Sequence, residues 1–211
     1  MRLVSRPALK AVWLCAAAAT AGCATPATLF QSTWRDPGAA PVVLTGQKVV
    51  ALVMSADEPQ RRQAEDALAG EITARGARGV AAWTLLPAAD VPDEAKARTA
   101  LAAAGAVGVV TMQVVGRQDL DDERVEVRSA GYRSFWGNYR WSSQVAFSPG
   151  RSHGPQAWVE TRVHSLDPDT LLWSGRSRTA DPGEAGALFG EVGRAAAEEM
   201  EKAGLLTRAR P

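Results

Sequence analysis

Cysteine is almost absent: the 211 residues contain two, Cys15 and Cys23, and both fall at the start of the chain. From Ala24 onward there is no thiol, which excludes a disulfide framework, a cysteine nucleophile and a cysteine-ligated metal. Histidine is as scarce, with only His153 and His164. A metal site would have to be assembled from those two and carboxylates. His164 lies among charged neighbours such as Arg162, a setting that predicts a solvated or hydrogen-bonded surface side chain. No Gly-x-Ser-x-Gly elbow, Gly-x-Gly-x-x-Gly turn, phosphate-binding lysine loop or His-Glu-x-x-His pair occurs. Charge of one sign is missing as well: 24 basic residues against 23 acidic leave no field to draw the chain to DNA or RNA. The expectation is a non-enzymatic protein with no cofactor, no metal and no nucleic-acid partner.

What is present begins with an export signature. Arg2, Arg6 and Lys10 form a basic leader, and Ala11 to Ala21 is an alanine-rich apolar core too short to span a bilayer as a mature helix. Thr20-Ala21-Gly22-Cys23 follows, and small residues directly before a cysteine resemble the bacterial lipobox, with Thr20 where leucine is usual. That resemblance implies a signal peptide over 1–22, diacylation of Cys23, and attachment to the membrane through the lipid. Ala24, in place of the aspartate that retains lipoproteins at the inner membrane, implies the periplasmic face of the outer membrane. Several acyl chains hold stably where one binds marginally. An ordinary secretory signal cut after Ala21 or Ala24 is the alternative, and it too exports the domain. Removing Arg2, Arg6 and Lys10 leaves 21 basic against 23 acidic residues, a net charge of about −2.

Proline and glycine among small residues predict a tether over 23–41 between lipid and domain. Within it, Ser32-Thr33-Trp34-Arg35-Asp36-Pro37 resembles the STW-x-DP segment of a group of uncharacterised bacterial envelope lipoproteins, where it precedes the first strand. The resemblance continues through Lys48 to Gly116 and from Val159 to Leu206, and it implies a small α/β domain without an established activity.

The domain is expected over 42–206, with a tail at 207–211. Lys48 to Ser55 is apolar on both sides of the pleat, which predicts a strand covered on two faces. Asp57 or Ser55 as cap and Pro59 in the first turn predict a helix to Gly76, with Ala64, Leu68 and Ile72 inward and Arg61, Arg62, Glu65 and Arg75 outward. Val80 to Leu85 reads as a second strand, Asp93 to Gly105 as a helix, and Val107 to Val115 as a third strand. Gln156 to Leu166 alternates as a half-exposed antiparallel strand, and Asp167-Pro168-Asp169-Thr170 predicts a turn rather than a cation loop. Leu171 to Thr179 returns, and a last helix runs to Gly204, where Gly186 and Gly190 predict close packing on the sheet. The fold class is α/β (α+β): a mixed sheet in the order βαβαβ, long insertion, ββα.

The insertion, 117–155, concentrates five large aromatics in ten residues: Tyr132, Phe135, Trp136, Tyr139 and Trp141. Such a cluster predicts either a partner-contact surface or aromatics folded back over the sheet. The functional expectation is a lipid-anchored, non-catalytic binding, assembly or scaffolding module with an envelope protein partner. Its strand and helix order is similar to the small α/β domains of the curli secretion-channel lipoprotein and of the N-terminal part of the Tol-system translocation protein, a likeness of fold alone. The alternatives are a hydrolase using Asp57, Glu58 and the loop after Val115 at the strand ends, or a small-ligand sensor in that crevice.

Overall fold

The structure, a computed structural model, describes residues 28–38, 42–55, 57–115, 133–139, 156–180 and 185–207. Its centre is β2 (Lys48–Met54). Val49, Ala51 and Val53 enter one apolar cluster, and Val50, Leu52 and Met54 enter the other. Each buried Val or Leu contributes roughly 1.5–3 kcal/mol relative to exposure. β2 therefore holds the two layers together.

Parallel neighbours flank it. β3 (Arg78–Ala81) pairs on one side and β4 (Gly108–Val115) on the other, with Val50 level with Val80 and with Val109. α1 (Glu58–Ala74) and α2 (Glu94–Ala103) make the connections. Asp57 caps α1 by accepting the N–H of Gln60 at 2.9 Å, and Asp93 caps α2 by accepting those of Ala95 and Lys96. The second strand ends earlier than the expected Val80–Leu85, because Ala82–Thr84 tightens into a 3-10 turn.

β5 (Gln156–Leu166) and β6 (Asp169–Ala180) form the expected antiparallel hairpin, and β5 also pairs antiparallel with β4. β1 (Thr28–Arg35) adds antiparallel to β6, completing the order β1-β6-β5-β4-β2-β3. That corrects the tether: the STW residues lie inside an edge strand, where Phe30 packs on Trp173 at 5.8 Å and the Thr28 and Thr179 hydroxyls bond at 2.7 Å. The flanking prolines masked a run rich in threonine and aromatics, residue types that favour strands.

β5 is not half exposed. It sits between β4 and β6, with Val159 and Val163 on one face and Glu160, Arg162 and His164 buried on the other. Glu160 accepts from Arg162 at 2.5 Å and lies 3.7 Å from Arg176, so one buried carboxylate is shared by two buried guanidinium groups.

α1 and the last helix, α3 (Ala185–Lys202), share one sheet face, and α2 covers β2 on the other. Gly190 and Gly193 of α3 face α1 rather than the sheet, at ordinary contact distance: a Cβ on Gly193 would meet Leu68 at 3.7 Å, and one on Gly190 would meet Ala67 at 3.9 Å. This neighbour also explains why Arg75 is buried instead of outward. Its guanidinium bonds Glu71 at 2.5 Å and the Arg194 carbonyl at 3.4 Å, and lies 3.7 Å from Glu198. Of the four polar residues expected to point outward, Arg62 does so, while Arg61, Glu65 and Arg75 are buried.

Candidate functional site

At the end of the sheet where β2 and β4 begin, four pieces of chain surround a cleft of about 640 Å³. The end of β1 supplies Asp36, the connection to β2 supplies Val42, Val43 and Leu44, the start of β4 supplies Val107, and the β5–β6 turn supplies Asp167 and Pro168. Backbone bonds fix these walls: Leu44 N–H donates to the Leu205 carbonyl at 2.9 Å, Asp36 N–H to Leu172 at 3.2 Å, and Leu166 N–H to Val107 at 3.0 Å. In the turn, whose Asp167–Pro168 peptide is cis, the Ser165 hydroxyl donates to the Pro168 carbonyl. Val43 is 52% exposed and Val107 40%, so two apolar side chains stand open to solvent at the mouth. Asp36 is engaged by the Gly38 N–H at 2.9 Å and the Arg133 guanidinium at 2.6 Å.

The aromatic insertion lies elsewhere. Residues 135–139 form a helical turn on the α2 side of the sheet. Asp169 accepts from the Phe135 N–H at 2.6 Å and the Ser134 hydroxyl at 2.5 Å, and Ser134 accepts from Gly137 N–H at 3.0 Å. Phe135, Trp136 and Tyr139 are buried with Val50, Leu52 and Leu101. Arg98 stacks over Trp136 at 4.2 Å, and the Tyr139 hydroxyl donates to the Val91 carbonyl. Burial holds the Tyr139 phenol well above its usual range. The expected partner-contact surface is thereby corrected for Phe135, Trp136 and Tyr139, which are core; Tyr132 and Trp141 lie outside the described residues. His164 is also corrected: it is buried, 5.7 Å from the Phe135 ring. A polar residue in a strand pattern looked solvated because its cover, 135–139, lies far away in sequence.

At the opposite end, Asp57 is the α1 cap and Glu58 pairs with Arg62 four residues on. The loop after Val115 lies outside the described residues. Glu65 is the buried acid there, accepting from the backbone N–H of Val53 at 3.2 Å and Trp83 at 2.6 Å, with Arg61 at 3.3 Å. Burial pushes its carboxyl up to about 7, outweighing the Arg61 charge and the backbone donors that pull it down. Among the described residues no three His, Cys, Asp or Glu side chains converge to hold a metal, and no helix is long and apolar enough to cross a membrane.

Sequence reasoning missed the cleft, the capping role of Asp169 and the burial of Glu65. The Val42-Val43-Leu44 run ahead of β2 was the available signal for the cleft, but exposure is not written in composition.

The fold is an α/β arrangement with a mixed six-stranded sheet and helices on both faces. No family model and no curated protein sequence matches the chain. Among solved structures it is similar to a PelC dodecamer from Paraburkholderia phytofirmans, at 9% identity, covering 86% of this chain and 99% of that one with a TM-score of 0.45. It is likewise similar to a variant PelC dodecamer from the same organism, at 14% identity, 86% and 100% coverage, and a TM-score of 0.43. At these values the likeness carries no functional argument.

Proposed function

We propose that the protein is a cell-envelope lipoprotein, held through Cys23 at the periplasmic face of the outer membrane, that serves as a non-catalytic binding or assembly module. The basic leader, the apolar core and Gly22-Cys23 support the anchor. The binding role rests on one observation, the exposure of Val43 and Val107 at the mouth of the cleft. Exposed apolar side chains at a concave site favour docking of another molecule. Capping, pairing and burial of Asp57, Glu58 and Glu65 support a structural rather than a catalytic use of those carboxylates.

A photo-crosslinking side chain at Val43 in living cells tests the role. An envelope protein captured there, and lost with Val107→Asp, is the expected result; capture unaffected by that change removes the cleft from the proposal. Turnover of a glycan, phosphoester or ester substrate by the purified protein overturns the non-catalytic role. The cleft volume of about 640 Å³ also suits a small molecule, so a thermal-shift survey belongs beside the cross-linking.

A further inference from the structure

Between Cys23 and Thr28, the first residue of β1, lie only residues 24–27. Whatever their conformation, five backbone steps reach at most about 18 Å. The anchored sulfur is therefore tied closely to the start of an ordered strand. Thr28 is itself fastened to the domain: its N–H donates to Glu191 of α3 at 3.1 Å and its hydroxyl bonds that of Thr179.

β1 then runs eight residues away from that point before Asp36 reaches the cleft. At about 3.4 Å per residue the strand spans roughly 24 Å. To bring the cleft down onto the bilayer, Thr28 would have to stand a full strand length above it. The link is shorter than that, so the upright inverted arrangement, with β1 along the bilayer normal and the cleft pressed on the lipid, is out of reach.

The end that remains has the right character. Among the described residues around the start of β1 the exposed ones are Leu29, Gln156, Ala180 and Ala187, none of which carries a charge, while Glu191 is half-buried and engaged by the Thr28 N–H. Leu29 is 44% exposed, and Arg178, half-buried, stands opposite it in the ladder. An exposed leucine with a basic neighbour fits a headgroup layer better than bulk water.

We infer that the sheet end formed by the start of β1, the end of β6 and the first turns of α3 lies against the lipid surface, with the cleft turned away from it. This rests on the anchor at Cys23, and it places the docking mouth where a periplasmic partner meets it. The absence of thiols after Cys23 makes the test clean, because an introduced cysteine in the mature chain is the only one free to react.

The full-length acylated protein, carrying a fluorophore at Leu29→Cys or at Val43→Cys, is placed in nanodiscs that contain a lipid-headgroup quencher. Leu29 is expected to be quenched at least twofold more than Val43. The pair Ala180→Cys and Val107→Cys repeats the comparison if either of the first variants folds poorly. Equal quenching, or stronger quenching at the cleft, overturns the orientation while leaving the anchor intact. Mass spectrometry of the same sample separates the two readings, since a mature chain without acyl mass on Cys23 overturns both.

Discussion

Asp169, the first residue of β6, accepts the backbone N–H of Phe135 at 2.6 Å across 34 positions of sequence. A carboxylate in a hairpin turn thus caps a helical turn from the insertion, while the Ser134 hydroxyl bonds its other oxygen at 2.5 Å. Two local signals, a turn acid and a serine, cooperate to place an aromatic group over the sheet.

Removing that cap should loosen the insertion. Asp169→Ala strands a partly buried N–H and is expected to cost about 1.5–3 kcal/mol, the range for hydrogen bonds to a charged group. Asp169→Asn keeps one acceptor oxygen and should cost less. Chemical unfolding gives the two values; equal stability of all three proteins would refute the capping role.

The aromatics themselves supply a sharper comparison. Phe135 and Tyr139 lie 5.6 Å apart in the core, so Phe135→Ala should cost about 3–5 kcal/mol, lowering Tm by roughly 10 °C. Tyr139→Phe loses only the bond to the Val91 carbonyl, leaves that acceptor unpaired and should cost about 1–2 kcal/mol. Residues of an exposed contact patch would leave Tm unchanged, so thermal melts of the two variants decide between core and surface.

How much of this was legible beforehand follows from the range over which each signal acts. β2, α1, α2, β4, the β5–β6 hairpin and α3 announce themselves within short windows, through apolar runs, caps at Asp57 and Asp93, and glycines such as Gly76, whose φ is 85°. β1 did not, because Pro26 and Pro37 bracket it and its pairing partner begins 134 residues after its end, at Asp169. The burial of His164, Arg75 and Glu65 depends on which distant element lands beside them: 135–139 for the first, α3 for the second, and the N–H groups of Val53 and Trp83 for the third. The cleft assembles from four separated segments, and none of them carries a motif of its own.

Glycine positions separate close approach from spare room. A Cβ on Gly79 would lie 2.1 Å from the Ala69 carbonyl oxygen, so Gly79→Ala must push β3 off α1 and should destabilise strongly. Gly190 sits inside α3 with its nearest neighbour at 3.9 Å, and Gly70 inside α1 has open space. Alanine at either removes the helical cost of glycine and should stabilise by up to about 1 kcal/mol. Urea midpoints of the three variants check this, and a loss of stability in both helical variants would mean that the helices pack more tightly than the structure shows.

Glu65 predicts a pH dependence with a definite sign. Burial raises its carboxyl from 4.5 to about 7 despite the Arg61 charge, so between those values the folded chain holds a proton that the unfolded chain has released. Stability from this group is complete below pH ~4.5 and is lost as pH rises through ~7, the reverse of an ordinary salt-bridged carboxylate. Glu65→Gln keeps the size and one acceptor oxygen, enough for one of the Val53 and Trp83 N–H groups that now bond separate oxygens, and removes the titration; the lost bond is a pH-independent offset. The stability of the native protein relative to Glu65→Gln should therefore fall with rising pH across that window, by on the order of 3 kcal/mol in all, and level off above it. Unfolding free energies of both proteins, measured in steps from pH 4 to pH 8, give the difference directly, and parallel curves would show that the buried carboxyl ionises as freely in the fold as out of it.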